Sequence, residues 1–124
     1  MAKVKSDPKR EHRIAMEIVV DAYDESERAM GWYVYLEDKL SFPFMAKCIA
    51  KRLISPLEVG HEVEVHGMAP EDECEHEMFV TIPWQVKADS LAVPLSQLEV
   101  VRGNAETREA VADWHYWIKR GYRF

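Results

Sequence analysis

Five of the seven residues from Glu71 to Glu77 are carboxylates, a density of like charge that works against any compact state. Such a run fits only a connection between ordered elements. The imbalance extends well beyond it. From Leu53 to Val86 there is no lysine or arginine, against eight carboxylates: Glu58, Glu62, Glu64, Glu71, Asp72, Glu73, Glu75 and Glu77. A hard cation shared by many oxygens relieves such repulsion, so calcium binding is the first expectation. The plain alternative is a solvated acidic loop that only aids solubility.

With 124 residues, 48% hydrophobic and 31% charged, the chain has the size and composition of one packed domain. Its net charge of −6 and pI of about 5.4 argue against a nucleic-acid binder, which needs a basic face for phosphates. Residues 1–13, with Lys3, Lys5, Lys9, Arg10 and Arg13, read as a flexible basic tail without the apolar core of a signal peptide. Residues 14–124 read as the single domain. No apolar run has the length of a membrane span. Cys48 and Cys74 read as reduced thiols, and the expected setting is cytoplasmic.

The fold expectation is α+β: a small SH3-like β-barrel of about five short antiparallel strands, with helices at both ends. The run Ile14 to Ala22 is apolar enough for a helix. A second helix starts at a cap on Asp24 or Ser26 and carries the stripe Ala29, Trp32, Tyr33, Leu36 and Leu40. Ser41-Phe42-Pro43-Phe44 breaks it. Met45 to Lys51, His61 to His66, Met78 to Trp84, Leu91 to Val93 and Glu99 to Arg102 read as strands, with a helical turn over residues 94–98. Val63 and Val65 face one way while Glu62, Glu64 and His66 face the other. The closing helix begins near Asn104 or Thr107 and stops at Gly121, with Val111, Trp114 and Ile118 inward. Trp84, Trp114, Tyr116 and Trp117 are expected between barrel and helix rather than along a peptide groove.

Calcium takes six to eight oxygens, so carboxylates must converge and not merely adjoin. If Glu73 to Glu77 is extended, Glu73, Glu75 and Glu77 point to one side. A second segment is then needed, and Glu37 and Asp38 at the exit of the second helix supply it. Carboxylates there oppose the helix dipole, a cost that a bound cation removes. The expected ligand set is therefore Glu37, Asp38, Glu71, Asp72, Glu73, Glu75 and Glu77. Asp21, Asp24, Glu25 and Glu27 read as a helix start. No EF-hand pattern is present, so any site must be assembled by the tertiary fold. His66, Cys74 and His76 could hold zinc or copper, but they lack the usual paired spacing. No nucleophile elbow, P-loop or dinucleotide fingerprint appears, and the chain does not read as an enzyme.

Glu27-Arg28-Ala29-Met30-Gly31-Trp32, Tyr35-Leu36-Glu37-Asp38-Lys39-Leu40 and Phe42-Pro43-Phe44 form unusual phrases. They are followed by Ser55-Pro56-Leu57, the acidic segment from Met68 to Val80, Val93-Pro94-Leu95 with Gln97-Leu98, and Asp113-Trp114 with Trp117. In these phrases, over about residues 14 to 122, the chain resembles the calcium-binding family typified by cyanobacterial CcbP. The resemblance implies a soluble protein that sequesters free Ca2+ through acidic surface residues, here Glu37, Asp38 and the acids of 71–77. The rival expectation is a protein-interaction module whose acidic loop docks a basic partner.

Overall fold

Trp32 and Leu36 are fully buried on one side of helix α2 (Glu25–Lys39), and they organise the helical half of the molecule. The computed structural model describes residues 5–84, 86–122 and 124; Lys3 of the expected tail lies outside them. Asp24 caps α2 by accepting from the Glu27 N–H at 2.9 Å. Glu27 in turn accepts from the Tyr23 N–H, closing a reciprocal cap. Helix α3 (Ala105–Lys119) starts where Asn104 accepts from the Thr107 N–H at 2.8 Å. It ends at Gly121, whose φ of +83° is open to glycine at little steric cost. The two helices meet through aromatic edges: Trp32 lies 5.0 Å from Trp114 and 5.5 Å from Trp117, ring centre to ring centre.

The strands are short and antiparallel. β1 (Phe44–Cys48) lies between β2 (Glu62–Val65) and β6 (Leu98–Arg102), and β4 (Phe79–Trp84) lies between β3 (Gly67–Met68) and β5 (Val86–Pro94). One segment, residues 62–68, edges both sheets. It leaves β1 after Val65, pairs with Phe44 there, and joins β4 through the His66 N–H to Thr81 carbonyl bond of 2.9 Å. The expected α+β class with helices at both ends is present. Of the expected SH3-like barrel, the described residues show two three-stranded sheets and no closed barrel. The strand pairing changes partner at His66, between β2 and β3, and β3 is only two residues long. A single core runs between the sheets and the helices and takes in Cys48, which is buried as expected of a structural cysteine.

The first residues behave differently from their composition. Pro8–Arg13 form helix α1, capped by Asp7, and a π-helical turn over Ile14–Ile18 continues it. Asp113 on α3 draws this segment in. Wholly buried, it accepts from Arg13 Nε at 3.0 Å and Nη2 at 2.7 Å, from Arg10 Nη1, and from the Tyr35 hydroxyl at 2.8 Å. The π-helical turn then rests on α2 at Gly31. A Cβ there would collide with the Ile18 carbonyl oxygen, so the close approach requires glycine.

Candidate metal centre

The acidic segment is fixed at two points, and both are apolar or neutral. Tyr33 on α2 donates its hydroxyl to the Ala69 carbonyl at 2.8 Å, tying the entry of the segment to the helix. Cys74 is 2% exposed. Its sulfur accepts from the Phe79 N–H at 3.4 Å, which ties the exit to β4. Between these anchors Glu71–Cys74 form a 3₁₀ turn, supported by the Glu73 N–H to Pro70 carbonyl bond at 2.9 Å. The extended geometry considered for Glu73 to Glu77 is therefore replaced at its start by a turn. A buried Cys74 within a run of acids forces its neighbours outward, and Glu71, Asp72, Glu73 and Glu75 are all exposed.

Electrostatics shows which acids share a neighbourhood. The Tyr33 phenol is pushed above its ordinary range by burial first, then by the charges of Glu37, Cys74, Glu71 and Asp72. Glu37 from the helix and Glu71 and Asp72 from the turn thus add to the same shift, behind burial as its leading cause. The Cys74 thiol is likewise raised, by burial, against the opposing Phe79 hydrogen bond, with Glu73, Asp72 and Glu71 adding to the rise. A groove of about 630 Å³ lies between α2 and the turn, and Glu25, Glu71, Asp72, Glu75 and His76 line it. Its charged lining is all carboxylate, hard oxygen that suits calcium, with the Cys74 thiol and the His76 imidazole also on its wall.

Two of the expected residues sit elsewhere. Glu77 is held by Arg52 in a two-pronged pair at 2.9 and 3.0 Å and also accepts from Ser96 at 3.2 Å. Asp38 lies on the opposite flank of α2, in a second groove with Glu17, Asp21 and Glu27, and 3.8 Å from Lys39. Consecutive helical residues diverge by about 100°, and Asp38 lines the second groove while Glu37 does not. His66 pairs with Glu64 at 2.5 Å. Among the described residues no three Asp, Glu, His or Cys side chains stand ready around one point, so no preformed cage exists.

Several contributors were not visible in sequence. Glu25 belongs to the α2 cap region by sequence, yet it lines the same groove as the acidic turn. Arg52 stands at the very edge of the cation-free stretch, and only the fold carries it to Glu77. Tyr33 read as part of an apolar stripe, and its hydroxyl gave no local signal.

A family model described as calcium binding matches residues 12–118. The chain belongs to the CcbP calcium-binding family. It is similar to the crystal structure of Anabaena CcbP, at 48% identity over the full length of both chains with a TM-score of 0.86. It is similar also to a structure described as a calcium-binding protein in the calcium-binding form, at 48% identity, full coverage of both chains and a TM-score of 0.85. No curated protein sequence matches significantly. The CcbP-family match takes in all of α2 and the whole acidic segment, so both banks of the groove fall within it. Among the described residues no helix is long and apolar enough to cross a membrane.

Proposed function

We propose that this chain binds Ca2+ chiefly in the groove where Glu71, Asp72 and Glu75 face α2, with Glu37 of that helix contributing charge, and that it acts as a buffer of the free ion. The groove between α2 and the acidic turn, which Glu25, Glu71, Asp72 and Glu75 line together, is the observation that carries this reading. Glu73 adds charge at the same turn. Asp38 adds charge at the end of the same helix from its other flank, and Glu77 joins only when Arg52 releases it. Family membership supports the choice of ion, and the calcium-binding form of the relative supports a fold that persists with the ion bound. Without the ion the carboxylates repel one another; sharing a cation removes the repulsion and draws the turn toward α2.

A buffer fits the two anchors. Tyr33–Ala69 and Cys74–Phe79 hold the turn at both ends, leaving little that could swing open, whereas a sensor needs a surface that changes with the ion. The buried, unpaired Cys48 and Cys74 suit a reducing compartment, and a cytoplasmic setting is part of the proposal.

Calorimetric titration of chelator-stripped protein with Ca2+, in physiological salt and millimolar Mg2+, tests the proposal. Saturable uptake of about one or two ions at roughly micromolar Kd is expected. Mg2+ should compete poorly, because it demands a tight octahedron and sheds water reluctantly. Changing Glu75→Gln or Asp38→Asn should weaken binding with the fold intact; unchanged affinity in both would remove this site assignment.

A further inference from the structure

A second groove, among the described residues, is larger than the one beside the acidic turn. It lies on the other flank of α2, between that helix and residues 17–22, and encloses about 910 Å³. Its floor is apolar and open: Val20 is 48% exposed, Met30 43% and Val34 56%. Isolated exposed apolar residues are ordinary; these three line one groove, where the apolar face of an amphipathic helix would cover them together. The rim has one sign of charge. Glu17, Asp21, Glu27 and Asp38 line it against the single ammonium of Lys39. Among the described residues neither Glu17 nor Asp21 has an ion-pair partner, and Asp38 has only the exposed Lys39 beside it. Asp21 stands at φ +58° on the turn that closes one end, a left-handed conformation that aspartate tolerates better than most residues.

The dimensions match one kind of occupant. Lining residues on α2 run from Ser26 to Asp38 at three- and four-residue spacing, a strip of about 18 Å at 1.5 Å per residue. That is the length of a helix of about three turns, whose apolar side chains recur at the same spacing. We propose that this groove docks a basic amphipathic helix of a partner protein, with aliphatic side chains against Val20, Met30 and Val34 and lysines or arginines against the acidic rim. Charge decides against the other candidates. An anionic lipid surface meets four carboxylates and is repelled. A second copy of this chain brings a net charge of −6 and the same acidic rim. The proposal does not depend on the calcium site; Asp38 is the one acid common to both readings, so the charge test avoids it. Val34→Asp probes the apolar floor at a residue outside the groove of the acidic turn, which Met30 also lines.

The test is fluorescence anisotropy in chelator-containing buffer at physiological salt. The probe is a labelled synthetic peptide of about 12 residues, leucines on one helical face and lysines on the other. The peptide should bind saturably, while a scrambled peptide of equal composition and a version with glutamate for lysine should not. Val34→Asp and Met30→Glu should each reduce affinity at least tenfold. Glu17→Gln combined with Asp21→Asn should reduce it several-fold and flatten its salt dependence. Leu53→Asp, a substitution of a fully exposed leucine on the 49–60 loop, should leave affinity unchanged. Circular dichroism and melting of each variant separate loss of docking from loss of fold. Equal binding of the scrambled peptide, or no effect of both Val34→Asp and Met30→Glu in folded protein, would overturn the proposal. So would a preference for anionic vesicles, or self-association abolished by Val34→Asp.

Discussion

At Asp113 one carboxylate, wholly buried, receives hydrogen bonds from Arg10, Arg13 and Tyr35. At the 71–77 turn five carboxylates have one described cation partner between them, Arg52 on Glu77, and the other four acids are exposed. The functional group is the same and its use is opposite. Around Asp113 the charge is spent inside the protein, where it closes α1 onto α3. At the turn the fold is closed by other means, a phenol on a carbonyl and a buried thiol on a backbone amide, so the carboxylates stay available to an ion from outside. A region that binds a cation from solvent cannot also satisfy its acids internally, and of these two regions only the turn leaves its acids unsatisfied.

The largest expected effect comes from breaking the internal half. Asp113→Asn takes from Arg10 and Arg13 the buried counter-charge they share and leaves them only the exposed carboxylates of Asp7 and Glu109, at 3.6 and 3.7 Å. Removing one partner of a buried pair costs about 3 kcal/mol at the lower end of its range, and the lower end applies because Arg10 and Arg13 keep 23% and 21% of their side-chain surface exposed. Thermal unfolding should shift down by on the order of 10 °C, while the folded fraction keeps its calcium affinity. A large loss of affinity without loss of stability would show that the two regions are not independent. The turn should respond with the opposite sign. In Glu71→Gln/Asp72→Asn/Glu75→Gln the calcium-free protein should melt no lower than wild type, because self-repulsion is relieved. Its calcium affinity should fall at least about tenfold, or 1.4 kcal/mol. At a hundredfold excess over Kd, calcium stabilises the wild type by about 2.7 kcal/mol, and the triple variant should lose most of that gain. Melting with and without a chelator reads both.

The same contrast explains what could be read from the chain. α2 and α3 are legible because three-and-four spacing and the caps Asp24, Asn104 and Gly121 are local signals. β2 and β4 are legible from alternation. The division into two sheets is not, since it depends on where residues 62–68 change partners, a pairing made across the fold. Residues 8–13 look like part of a basic tail because the carboxylate that orders them lies about a hundred positions away. At the candidate site, charge density picked out the acids, and nothing local could separate them. The separation of Glu77 comes from Arg52, that of Asp38 from the helical twist past Glu37, and the 3₁₀ turn from the burial of Cys74.

Two tyrosines make the comparison sharper at smaller cost to the molecule. Tyr33→Phe removes the hydroxyl bond to Ala69 and should lower stability by about 1 kcal/mol; it should also lower calcium affinity a few-fold, because the turn loses its hold on α2 while every carboxylate remains. In the wild type, each phenol reports its own acids. Tyr33 is raised by burial and then by Glu37, Glu71 and Asp72 among its neighbours, and Tyr35 is raised by burial and then by Asp113. A phenol whose folded pKa lies above its unfolded value contributes stability that is complete below about pH 10 and lost as pH rises through the folded value. Calcium held by Glu37, Glu71 and Asp72 cancels the charges that oppose the Tyr33 phenolate, so its pKa should move down on binding. Tyr35 faces a carboxylate already neutralised by two arginines and should not move. Carbon-detected NMR of labelled tyrosine, titrated from neutral to alkaline pH with and without the ion, distinguishes the two. A calcium shift at Tyr35, or none at Tyr33, would place the ion away from the face of α2 that carries Glu37.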